Sequence, residues 1–477
     1  LVALRVQLSP IMPNDFWWHM ATGRIIAQTG GIPPTDGFSY TQHGQIYYNQ
    51  PWLAQLLMYG GYTMGGAALL AFMQSVLIAS SFLLLYIICR REGAGTRLAT
   101  GCTLVGALVA MDNWQIRPQT YAVPLCIGTL GILLTWRRAG RAPLWALPLL
   151  MLVWVNLHGT FTLLLALCGC VWIGAVTERL WLRGERSWHE CRMLAFWSGT
   201  ALLVTLLNPR GIGIWGYVAG LLTNRSVGQL VTEWAPPLRV LDQPMTLIFL
   251  GVFASVVALG IWRRRHVQLT DLLLVLPFTL LAFQSVRNIL WFGIVVAPVC
   301  ARLLSRAGRE DRPRASEIVF MNRLIAGLLT LMVLATLPWW KGALGLPPTL
   351  GNLLSLGTPI AAVEQLRTLN QRPQRLFHEL GFGSYLIWAT SDLGLRVFID
   401  PRIELYPYEQ WRDYIMLGQG REVDSLTQKY GFDGWLVNPE QQPGLLAALD
   451  RHSGWQRVFT ADQAVYFAPR ARVGRSP

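Results

Sequence analysis

The chain has 477 residues, 53% of them hydrophobic and only 14% charged, against the roughly 25% charge of ordinary soluble domains. That deficit excludes a conventional soluble enzyme and points to a membrane protein. The net charge of +14, from 40 basic and 26 acidic residues, would suggest nucleic acid in a soluble protein, so the position of the charges has to decide.

In chain order, residues 1–10 (LVALRVQLSP) form an apolar stub that reads as the end of a truncated first transmembrane helix without a complete signal-peptide pattern. Residues 11–65 follow as a large polar and aromatic loop. It has an acid at a predicted helix start (Asp15, as N-cap of a helix over 16–28), then Trp17, Trp18 and His19. A Gly/Pro turn with Asp36 comes next, and a second amphipathic piece starts at Pro51. Such a stretch is expected to lie along the membrane interface, with at least two of Trp17, Trp18 and Trp234 as interfacial anchors.

Apolar runs then predict ten spans, at about 66–89, 98–111, 119–135, 143–156, 161–177, 195–207, 244–262, 269–284, 289–304 and 318–340. Five connecting loops hold 17 basic residues: Arg90, Arg91 and Arg97; Arg137, Arg138 and Arg141; Arg179, Arg183, Arg186 and Arg192; Arg263, Arg264 and Arg265; Arg306, Arg309, Arg312 and Arg314. The alternate loops hold five, namely Arg117, Arg210, Arg225, Arg239 and Arg287. By the positive-inside rule the first set is cytoplasmic, and 11–65 and 341–477 fall outside. The charge excess therefore reports orientation, and no nucleic-acid partner is expected. The domain reading is a 66–340 transmembrane helical domain followed by a small extracytoplasmic α/β domain at 341–477, in which 396–400 (RVFID), 434–438 (GWLVN) and 464–468 (AVYFA) are predicted strands.

The unusual polar groups gather on the predicted external side. Beyond the first loop these are Arg117 with Asp112 and Gln119, His158 in NLHG, Arg210 in NPRG, Glu233 beside Trp234, and Arg287 in SVRN. Ionisable groups at span ends are costly unless they face a wet cavity or pair with one another, so a cluster on one face is a site hypothesis. For any one of them alone, a helix cap or a structural ion pair is the commoner role. His19, His43 and His158 lack metal-ligand spacing, and the seven Cys lack both metal and disulfide patterns, so no metal and no cofactor is expected.

The motifs DFWWHMATGR, TDGFSYT, RPQ, NLHG, NPRG, EW, RN and the C-terminal GSYLIW, VFIDPRIELY and YGFDGWLV, in this order, resemble a group of functionally uncharacterised bacterial membrane proteins over nearly the whole chain. In layout the sequence resembles the GT-C superfamily of polytopic glycosyltransferases, such as protein O-mannosyltransferases and lipid A aminoarabinose transferases. The resemblance implies a GT-C-like α-helical membrane protein of about 10–11 transmembrane helices in the bacterial inner membrane. It also implies an inverting transfer from a polyprenyl-phosphate sugar to an envelope acceptor on the external face. Asp15 is then the candidate base, with Asp36 second. Arg117, Arg210 and Arg287 become candidate phosphate partners, and His158, Glu233, Trp17, Trp18 and His19 candidate substrate contacts. The sequence departs from the O-mannosyltransferase pattern at Asn14-Asp15, where one carboxylate stands in place of an acidic pair. The alternative is a non-catalytic GT-C-like subunit of a larger complex with protein partners. A transporter fits less well, since no inverted repeat is visible.

Overall fold

A computed structural model describes residues 1–181, 186–224, 232–305 and 316–470. Arg183, Arg225, Arg306, Arg309, Arg312 and Arg314 of the loop analysis lie outside the described residues. The chain divides into two compact units. Unit 1 comprises Leu1–Gln7, Phe72–Thr223 and Gly228–Leu337; unit 2 comprises Leu8–Ala71, Asn224–Val227 and Pro338–Pro477. The first loop and the C-terminal residues, read from sequence as separate external parts, thus belong to one unit.

Unit 1 is helical. Each of the ten expected spans coincides with a helix: Trp52–Arg91 (shared with unit 2), Thr96–Ala110, Pro118–Ala139, Ala146–Leu157, Thr162–Trp181, Trp188–Val204, Pro244–Trp262, Leu269–Gln284, Ile289–Leu304 and Ser316–Ala335. Five described helices are long and apolar enough to cross a membrane. The chain is a polytopic α-helical membrane protein. Its helices differ in how they meet their surroundings. Pro244–Trp262 is apolar all round yet leaves Leu247, Val257 and Ile261 exposed, as a lipid-facing helix must. Ile289–Leu304 is buried along almost its whole length. It crosses Thr96–Ala110 closely enough that a Cβ on Gly106 would stand 2.8 Å from the carbonyl oxygen of Gly293, which is the small-residue packing that helices without a hydrophobic driving force rely on. Where spans meet polar loops, Arg137 and Arg302 both pair with the buried Asp271. An eleven-residue helix, Gly213–Thr223, was not expected; it lies in the stretch read as a long external loop.

Unit 2 is α/β. Its four-stranded sheet runs in the order β1-β2-β4-β3, from β1 (Leu376–His378), β2 (Gly434–Val437), β3 (Trp455–Ala461) and β4 (Ala464–Pro469), with β1 parallel to β2 and the other pairs antiparallel. The expected strands at 434–438 and 464–468 are present. The expected strand at 396–400 is instead an extended buried segment that makes one parallel bridge, Ser39 to Val397, back to the first loop. Val397 uses its N–H and C=O on Phe38 and Tyr40, so no row of donors is left to build a ladder. Helix Pro13–Thr29 packs on helix Leu380–Ala389, and Trp18 and Ala21 enter the same core as Leu376, Phe382, Leu436 and Tyr466. The aromatic face of this helix is covered by the C-terminal fold, so Trp17 and Trp18 are buried. The helix beginning at Trp52 is kinked at Gly65–Gly66, where Gly66 adopts φ +65°, a conformation that costs glycine little.

Candidate functional site

In unit 1 the polar residues come from helix ends whose positions the sequence dictates. Pro118 at the first turn of Pro118–Ala139 fixes the helix start and leaves Arg117 extended just outside it. Leu269–Gln284 stops at the extended Ser285, whose hydroxyl donates to the Glu233 carbonyl at 2.8 Å, while the Val286 N–H donates to Ala235 at 3.1 Å. These bonds hold the Glu233–Trp234 turn against the Arg287 turn. Arg117 Nη1 donates to both oxygens of Glu233, at 3.0 and 2.8 Å, and its Nη2 to Asn113 at 3.3 Å. Arg287 donates to Gln119, two residues beyond Arg117, and its guanidinium lies 5.0 Å from the Trp234 ring centre, within cation–π range.

His158 ends helix Ala146–Leu157 in an extended conformation, and its Nδ1 accepts the Thr160 N–H at 3.2 Å and faces the Thr160 hydroxyl at 2.9 Å. An Nδ1 that accepts a backbone N–H leaves the neutral ring's proton on Nε2. Burial and then the positive fields of Arg287 and Arg117 hold the imidazole well below its usual range, hence neutral. Partial burial pushes the Glu233 carboxyl up, but Arg117 and Arg287 more than offset it and bring it below its ordinary value. These turns bring two guanidiniums and one carboxylate together, with the buried His158 within electrostatic range of both arginines. Arg210 is exposed on the adjoining NPRG turn, which is tied to the His158 helix by a 3.0 Å bond from Asn156 to Leu207.

In unit 2 Asp15 is not the N-cap. The helix begins at Pro13 with Met12 as cap, which puts Asp15 in the first turn, half-buried. Asn14 and Glu379 flank Gly381: a Cβ there would meet Asn14 Oδ1 at 3.0 Å and Glu379 Oε2 at 2.9 Å. Trp17 is 3% exposed and packs edge-on against Phe16 and Tyr385, with Trp388 tilted beside it. Trp18 is 5% exposed, with its backbone N–H on Ser384 at 3.0 Å. His19 Nδ1 faces the Gln55 amide at 3.0 Å, and Gln55 pairs reciprocally with Asn49. All three side chains are buried within unit 2. Asp36 is buried, and its carboxylate receives the Phe38 and Ser39 N–H groups, the Ser39 hydroxyl and Arg402 at 2.7 Å. Arg402 also clamps Asp400, which Tyr406 reaches at 2.6 Å. Burial raises the Asp400 carboxyl, but Arg402 and these hydrogen bonds bring it below the ordinary value. The sequence offers 400–406 equally as a strand-end ligand site or a salt-bridged turn; the Asp400–Arg402 pair makes it a salt-bridged turn, and the link from Arg402 to Asp36 was not foreseen. Among the described residues no group of three or more His, Cys, Asp or Glu is placed to hold a metal ion.

No protein-family model matches the chain, and no curated protein sequence matches it. Solved structures do. ArnT from Cupriavidus metallidurans, bound to undecaprenyl phosphate, superposes with a TM-score of 0.53 at 14% identity, covering 100% of this chain and 98% of that one. The oligosaccharyltransferase AglB from Archaeoglobus fulgidus, in complex with an inhibitory peptide and a dolichol-phosphate, gives 0.52 at 11% identity over 98% of this chain and 74% of its own. The mycobacterial arabinofuranosyltransferase AftD gives 0.56 at 13% identity over 98% of this chain, which spans 40% of AftD. The protein has a GT-C-like fold, a polytopic helical membrane body with a small C-terminal sheet region.

Proposed function

We propose that the chain is a membrane glycosyltransferase of GT-C type, moving a sugar from a polyprenyl-phosphate carrier to an envelope acceptor on the outer face of a bacterial cytoplasmic membrane. The observation that carries this reading is the turn cluster of unit 1, where Arg117 holds Glu233, Arg287 lies against Trp234 and Gln119, and His158 is buried with Nδ1 on Thr160. Such a cluster suits a phosphate: Arg117 and Arg287 attract the anion and the His158 Nε2–H can donate to it. The carrier class follows the undecaprenyl phosphate of ArnT and the dolichol-phosphate of AglB. Arg210, on the adjoining turn, is a secondary phosphate contact. Inverting transfer also needs a base for the acceptor hydroxyl, and the candidate is Asp15, in a helix first turn. Asp36, saturated by its donors, is assigned a structural role instead, and so are Trp17, Trp18 and His19. The arginine-rich loops face the cytoplasm and the C-terminal residues lie outside.

The test is Asp15→Asn in purified protein supplied with prenyl-phosphate sugars. Transfer is expected to fall by about 10²–10⁴-fold while the elution profile and helical content stay unchanged. Undiminished transfer would remove Asp15 as the base. Absence of transfer by the unmodified protein, with lipid-phosphate binding intact, would favour a non-catalytic GT-C-like subunit.

A further inference from the structure

Unit 2 contains a cavity of about 400 Å³, within the size range of small-ligand sites. Its walls come from the segment after the last membrane helix and from the β3–β4 turn, and include Trp339, Asn352, Ser355, Thr358 and Asp462. Three features define what it suits. First, none of the lining residues is Lys, Arg or His, and one is a carboxylate, so the cavity repels phosphates and other anions. Second, Thr358 is 3% exposed and its hydroxyl has no hydrogen-bond partner among the described residues, an arrangement that is costly unless a ligand or solvent group completes it. Third, the half-exposed Trp339 ring borders amide and hydroxyl groups, which combines an apolar face with neutral hydrogen bonding.

The cavity also adjoins the helix that carries the candidate base. Ile11 pairs with the cavity wall through Ile11 N–H to the Leu353 carbonyl and Ser355 N–H to the Ile11 carbonyl, both at 2.9 Å. Asp15 lies four residues further along, so its Cα is at most about 14 Å from that of Ile11. A Cβ on Gly357 would meet Pro13, the first residue of the Asp15 helix, at 4.0 Å.

We infer that this cavity seats the acceptor and that the acceptor is a neutral saccharide, an inference that rests on the transferase reading and names its second substrate class. In the transfer, an acceptor hydroxyl oxygen bonds to the anomeric carbon of the donor sugar as the bond from that carbon to the phosphate oxygen breaks. The bonding pair leaves with the prenyl phosphate, and the hydroxyl proton passes to Asp15.

Binding separates this inference from the reading beneath it. Full-length protein in nanodiscs is probed by saturation-transfer NMR with neutral trisaccharides of mannose, arabinose, glucose and galactose, with glucuronic acid as the anionic control. Farnesyl phosphate binding is measured on the same samples. At least one neutral trisaccharide is expected to give a signal that falls at least tenfold in Trp339→Ala and in Asn352→Ala, two exposed positions, while farnesyl phosphate binding is unchanged. Absence of any neutral-saccharide signal, an equal signal from glucuronic acid, or displacement of the saccharide by farnesol would overturn the acceptor seat. Loss of farnesyl phosphate binding in the unmodified protein would instead overturn the transferase reading.

Discussion

Two arginine assemblies in this protein use the same chemical groups in opposite ways. In unit 2 Arg402 is 2% exposed in its side chain and is enclosed by the equally buried carboxylates of Asp36 and Asp400, with the rings of Phe38 and Tyr47 about 5 Å from the guanidinium. In unit 1 Arg117 Nη1 donates to both Glu233 oxygens, but the Glu233 side chain stays 42% exposed, and Arg287 and the buried His158 lie within electrostatic range of the pair. The first is a sealed joint between residues 366 positions apart in the chain. The second is open on one side, and its positive field shifts its neighbours' titration. Exposure and the ratio of cations to carboxylates separate an anchor from the anion seat proposed for unit 1; the presence of an Arg–carboxylate pair does not.

Breaking the sealed assembly should have the largest effect. Arg402→Met strands two buried carboxylates and is expected to cost about 3–5 kcal/mol, read as lost protease resistance of unit 2. Acid provides a second probe of the same unit. His378 is buried, with its ring nitrogens on Glu379 and Phe398, and burial lowers it from 6.5 to about 4. The unfolded chain therefore binds a proton that the folded one refuses between those values. This stability is full above pH 6.5 and is lost as pH falls towards 4, by up to about 3 kcal/mol. The melting temperature of unit 2 should fall across that window and level off below it, and His378→Gln should flatten the slope. Asp36→Asn, which keeps the shape but removes one charge beside Arg402, should cost less, about 1–3 kcal/mol by chemical denaturation. Glu233→Gln should change stability by under about 1 kcal/mol, because its half-exposed carboxylate is screened by solvent. A loss from Glu233→Gln as large as that from Arg402→Met would erase the distinction between anchor and seat.

The membrane body was legible in the sequence because long apolar runs and arginine-rich loops leave little freedom, and all ten predicted spans are helical. Unit 2 was legible in part. GWLV and AVYFA are short apolar runs and form strands. LFH (β1) is too short to show alternation, and WQRVFTA (β3) is mostly exposed, so neither stood out. VFID looked like a strand but spends its backbone groups on the first loop. Pro13 was an available signal for a helix beginning before Asp15, since proline belongs at the first helical position. Nothing in the sequence pairs Asp36 with Arg402. The grouping of Arg117, His158, Glu233 and Arg287 was foreseeable from the loop-charge alternation that put them all on one predicted side, whereas the burial of Trp17, Trp18 and His19 depended on a C-terminal fold that aromatic composition alone does not reveal.

The most direct test of the central claim, that the open assembly seats a lipid phosphate, is a comparison of farnesyl phosphate with farnesol binding to the unmodified protein, Arg117→Gln and Arg287→Gln. Tighter binding of the phosphate, by tenfold or more, that collapses towards the farnesol value in both variants is the predicted result. Equal binding of the two lipids, or phosphate-dependent binding that survives both substitutions, would contradict it.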